Sequence, residues 1–77
     1  MLIDVAIYRT LEKRLMDLKQ QFLKVYSTLP LGIRKEIVIV LDAPVGPVSW
    51  EAAYLEVENR TAVSEVILTK LHELQII

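Results

Sequence analysis

The apolar positions in the first part of the chain repeat with a helical period. Leu11, Leu15, Leu18, Phe22, Val25 and Leu29 follow one another at steps of four, three, four, three and four. That is an a/d heptad seam, and it predicts one long helix that starts near Asp4 and is stopped by Pro30 and Gly32. Asp4 is the expected N-cap, its carboxylate accepting N–H groups left unpaired in the first turn. About 25 residues at 1.5 Å each make a rod of about 37 Å, longer than so small a globule needs. A second, thinner strip of Val5, Met16 and Leu23 lies about 120–140° round from the seam. A helix with two apolar strips is expected to pack on two sides, one against its own chain and one against a second copy. Arg9, Lys13, Gln20 and Lys24 form the remaining face and read as solvated. The stretch "IDVAI" also alternates, so residues 2–8 stand open between strand and helix.

The period then shortens. "EIVIVLD", from Glu36 to Asp42, is rich in β-branched residues and bounded by charge and turn residues, which predicts a strand. A lone strand leaves half its backbone groups unpaired. "PVSW", from Pro47 to Trp50, is the expected partner, folding back through Ala43–Gly46 as a short hairpin. Pro47 lacks an N–H and suits an edge or a first strand position. Such a hairpin needs support from the long helix or from a second chain's hairpin.

Helical spacing returns after Ser49, an expected N-cap followed by Glu51 in the first turn. Trp50, Ala53, Tyr54 and Val57 form one face. Asn59–Thr61 is the expected interruption, with Asn59 tolerating turn geometry and Thr61 capping again. Val63, Val66, Ile67, Leu71 and Leu74 then form the apolar face of a last helix that runs to about Gln75. One unbroken helix over 50–75, two helices, or a strand followed by a helix all fit the pattern. The expected architecture is a single small α+β domain over residues 1–77 in the order α-β-β-α-α: a long N-terminal helix, a short β-hairpin, then one or two C-terminal helices.

The segment "IVLDAPVGPVSWEAA" resembles the strand–turn–helix near the start of a pseudouridine synthase family that includes the tRNA and guide-RNA enzymes. Leu41, Asp42, Pro44, Gly46, Pro47 and Ser49 match that pattern. The resemblance covers about a fifth of the chain. The lysine usual after the Asp is Ala43, and no glycine after Gly46 remains to build the family's later glycine-rich catalytic motif. What the resemblance implies is therefore conformational: a strand, a turn and a Ser-capped helix.

Composition explains why a partner is expected. Apolar residues make up 53% of 77 positions, and there is no cysteine. So short a chain has a marginal core and usually needs disulfides, a metal or association. A disulfide is excluded, and His72 is the only histidine. Association is the support that remains. The absence of cysteine fits a reducing compartment, and "MLIDVAIYRT" lacks the basic leader of a signal peptide. "IVIVL" is far too short to span a bilayer, which takes about 20 residues. A cytoplasmic protein without membrane attachment is expected.

Charge is lopsided. Residues 1–35 hold seven cations against three acids, and residues 36–77 hold two against seven, giving +4 and −5. Attraction between the two halves, within one chain or across a dimer, is the simpler reading. Nucleic-acid binding by the basic strip of Arg9, Lys13 and Lys24 is the alternative.

The chemistry-bearing residues have plain readings. His72 and Glu65 share a heading on the last helix, as a general base and its orienter would, but read as surface residues. Glu51, Glu56, Glu58, Glu65 and Glu73 lack the spacing of a calcium loop and read as a solvated face, with Glu56 and Arg60 spaced for an i,i+4 pair. Trp50 and Tyr54 read as core rather than as a base-stacking platform. No nucleophile elbow or phosphate-cradling glycine run is present. The expectation is a non-enzymatic protein without a cofactor, a protein-interaction or homo-oligomerisation module that uses the Leu11–Leu29 seam and an exposed strand edge.

Overall fold

The computed structural model describes residues 5–77, with the side chain of Tyr8 excepted. The chain is α+β in the expected order. Helix α1 spans Val5–Thr28, strands β1 and β2 span Ile37–Val40 and Pro47–Ser49, and helices α2 and α3 span Trp50–Glu58 and Ala62–Glu73. Residues 5–8 are helical, and the expected cap at Asp4 lies outside the described residues. At 24 residues α1 is about 36 Å long, which stretches the molecule to 45 × 28 × 22 Å.

Helix α1 ends before Pro30 without a left-handed glycine. Its last carbonyls are taken instead by side chains and by the following turn. Ser27 Oγ donates to Lys24 O at 2.9 Å and Thr28 Oγ1 to Val25 O at 2.7 Å. The Tyr26 carbonyl accepts from Leu29 N at 3.1 Å and from Arg34 Nη2 at 3.3 Å. A cation is also well placed here by the helix dipole. Arg34 comes from a short 3-10 turn, Ile33–Lys35, that the sequence pattern did not announce.

The hairpin is antiparallel. Ile39 pairs with Val48 and Val40 with Pro47, and a bulge at Val38 separates this register from the Ile37–Ser49 pair. Leu41 N and Gly46 O close the loop at 2.9 Å, and Val45 N bonds Asp42 O at 3.1 Å around a cis Ala43–Pro44 peptide. This is the geometry of a type VI turn. Gly46 has φ +69°, a conformation that L side chains rarely adopt. Ser49 then caps α2 as expected, its hydroxyl accepting from Ala52 N at 3.0 Å. Strand, turn and Ser-capped helix thus follow one another as the local resemblance implied.

The stretch 50–75 is two helices. Both end in a Schellman motif without glycine. At the end of α2, Arg60 N bonds Val57 O at 3.2 Å and Thr61 N bonds Glu56 O at 3.3 Å, with Arg60 at φ 52°. At the end of α3, Gln75 N bonds His72 O at 3.0 Å and Ile76 N bonds Leu71 O at 2.9 Å, with Gln75 at φ 58°. Three expectations change in detail. The left-handed residue at the interruption is Arg60, not Asn59. Helix α3 stops at Glu73, two residues short of Gln75. Because α2 ends at Glu58, Arg60 lies past the helix and the i,i+4 geometry with Glu56 is lost. The Glu56 carboxylate accepts from the Thr61 hydroxyl instead. That hydroxyl also accepts from Ser64 N at 3.1 Å, so Thr61 caps α3 while tying it to α2.

The core gathers one face from each element: Leu18 and Phe22 from α1, Ile39 and Val48 from the hairpin, Ala53 and Val57 from α2, and Ile67, Leu68 and Leu71 from α3. An aromatic block binds α1 to α2. Phe22 and Tyr26, one turn apart, face Trp50 and Tyr54, also one turn apart. Ring centroids lie 6.0 Å apart for Phe22–Trp50 and 4.5 Å for Tyr26–Tyr54. The Arg34 guanidinium sits 4.5 Å from the Tyr26 ring centroid. Each such contact adds about 0.5–1.5 kcal/mol to simple burial.

Candidate interaction surface

The heptad seam has two different environments. Leu18 and Phe22 are buried in the chain's own core, and Leu15, Val25 and Leu29 are half-buried around them. Leu11 is 54% exposed. One turn further toward the N-terminus, Ile7 extends the seam with 57% exposure. Every described side chain from Val5 to Arg14 is exposed. The seam therefore runs continuously from the core onto an exposed arm of about ten residues, or about 15 Å of helix. The second strip is open as well, with Val5 and Met16 both exposed and Leu23 half-buried.

The cause is length. Helix α3, which packs along α1, has 12 residues against 24. Nothing among the other described elements reaches the first turns of α1, so those elements give its apolar side chains there no cover. As the continuation of a packed helix the arm needs no nucleation of its own, but its turns are held only by propagation and fray from the end. Where α1 and α3 part, they leave a groove. Leu11, Arg14, Leu15 and Leu18 line it from α1, and Glu65, Thr69, His72 and Glu73 from α3. The sequence pattern gave the seam as one uniform strip. Its division follows from where α3 ends, which periodicity within α1 does not encode.

The strand edge is a poorer docking site. Strand β2 has three residues and opens with Pro47, which has no N–H to donate. Strand β1 has four residues and carries the bulge. Short, bulged or proline-bearing edges discourage the addition of another strand. The hairpin does present apolar side chains outward, Ile37 at 55% and Val40 at 66% exposure.

The remaining candidates fall as follows. Trp50 and Tyr54 are spent on the aromatic block rather than presented as a stacking platform. His72 and Glu65 both line the α1–α3 groove and both are exposed. Arg9, Lys13 and Lys24 are exposed on the side of α1 away from the seam. Among the described residues no three histidine or acidic side chains cluster closely enough to hold a metal ion. Among the same residues no helix is long and apolar enough to cross a membrane.

No family model matches the chain, no curated protein matches its sequence, and no solved structure matches its fold.

Proposed function

We propose that this chain is a non-enzymatic protein-interaction module that self-associates through the exposed arm of α1. The observation that carries this reading is the exposed continuation of the core seam through Leu11 and Ile7. Burial of that strip would contribute about 25 cal/mol per Å² of apolar area and would hold the arm in its helical form. The outer hairpin face at Ile37 and Val40 is the secondary contact. A cytoplasmic setting fits the cysteine-free sequence.

Sedimentation equilibrium at micromolar concentrations tests it. The parent chain is expected to run as a dimer or larger, and Leu11→Glu as a folded monomer. Leu31→Glu, at an even more open apolar site on the α1–β1 loop (75% exposed), is expected to leave association unchanged. A parent chain that stays monomeric while unfolding cooperatively would refute the reading.

A second reading, nucleic-acid binding, is favoured by one observation: Arg9, Lys13 and Lys24 share an open side of α1. Three phosphate contacts would give a salt slope of about −3 in log K against log salt. Retention on a nucleic-acid column that is lost with Lys13→Glu would support it over self-association.

A further inference from the structure

Given self-association through the arm, charge selects the partner. The groove beside the arm has an apolar floor at Leu11 and Leu15, and its α3 wall carries Glu65 and Glu73, both exposed. The arm has the opposite sign. Arg9, Lys13 and Arg14 stand against Glu12 alone, and all four are exposed. Arg14 flanks the seam at the groove. Arg9 and Lys13 sit on the arm's outer face, about one helix diameter away, which is still about one Debye length at physiological salt. One molecule therefore offers a basic arm, with Arg14 at its edge, next to a groove whose α3 wall is acidic. Turned by a two-fold axis, that surface is complementary to itself: each arm meets the other copy's groove, and neither is left open. A foreign partner would need to bring both signs in the same arrangement, whereas a second copy brings them by construction.

We propose that the occupant of the α1–α3 groove is the α1 arm of a second copy of this chain, in a reciprocal two-fold dimer. Resting as it does on the self-association reading, it adds the partner's identity and the arrangement of its charges. Ile7 and Leu11 of each arm pack over the floor of the other copy's groove, Arg14 faces Glu65 and Glu73, and Arg9 and Lys13 add to the positive field from the arm's outer face.

Complementary charge reversal tests this on the intact chain. One variant carries Lys13→Glu with Arg14→Glu, so its arm is acidic. The other carries Glu65→Lys with Glu73→Lys, so its groove wall is basic. All four positions are exposed, and circular dichroism checks that each variant keeps its helices. Each variant alone sets like charges against each other and is expected to self-associate at least tenfold more weakly than the parent. Mixed, the acidic arm meets the basic groove and the basic arm meets the acidic one. Native mass spectrometry should then show the heterodimer as the dominant dimer, at least tenfold tighter than either homodimer. Two variants that dimerise alone as tightly as the parent, or a mixture without heterodimer, would overturn the reciprocal arrangement. A parent that dimerises and is dissolved by Leu11→Glu would still uphold self-association in that case. A parent that is monomeric throughout would remove both.

Discussion

Leu11 and Leu18 are the same residue type on the same strip of α1, two turns apart, yet removing their side chains should have different effects. Leu18 is 5% exposed and belongs to the core, whereas Leu11 is 54% exposed. Truncating a buried leucine to alanine costs about 2–5 kcal/mol, the loss of transfer energy plus the cavity left behind. A value near 3 kcal/mol fits Leu18, which touches the packed α1–α3 contact. For a chain of this size each kcal/mol moves the melting temperature by about 4–8 °C, so Leu18→Ala should lower it by about 12–24 °C. Leu11→Ala leaves no cavity, removes a side chain already half in water, and places a better helix former in α1. Its cost to the monomer should be at most about 0.5 kcal/mol, or less than about 4 °C. The assay is thermal unfolding followed by circular dichroism across a dilution series. At the dilute end the two variants should separate widely. At higher concentration the parent should gain stability by mass action and the Leu11 variant should not. Equal destabilisation of the two at high dilution would refute the reasoning, because the arm would then have to pack on its own chain.

Two further outcomes concern the α2–α3 corner. Arg60→Gly should raise stability by about 0.5–1 kcal/mol, because the left-handed position carries a side chain that glycine lacks, while Arg60→Ala should change little; chemical denaturation of the pair checks this. Thr61→Ala should cost about 1–2 kcal/mol, since it removes the α3 cap and the hydrogen bond to Glu56 together, and Thr61→Ser should recover most of the loss in the same measurement.

What the sequence revealed was whatever is written in local period and local chemistry. The 4-3-4-3-4 spacing gave α1 to within a residue or two of its end, Ser49 and Thr61 gave their caps, and Pro47 gave the first position of β2. The corners were harder to read. Glycine marks a left-handed residue in a sequence, but Arg60 and Gln75 hold that conformation because the flanking hydrogen bonds impose it. The 3-10 turn at Ile33–Lys35 is likewise fixed by tertiary contacts, through Arg34 on Tyr26. For the interaction surface, the seam residues were legible and their division was not. Leu11 and Leu18 look alike until the length and placement of α3 are known.

The exposed arm has a consequence for how α1 opens. Amides near residues 9–12 bond only to carbonyls of the arm itself, since each helical N–H reaches back four residues. Those around Leu18 to Phe22 are locked by the core and open only when the whole chain unfolds. One continuous helix thus contains two populations of exchangeable protons, one opened by local fraying and one by global unfolding. With the proposed association, deuterium uptake at the arm should slow from that of a fraying helix end as concentration rises, whereas the core, already protected, should gain only the stability that mass action adds to the whole chain.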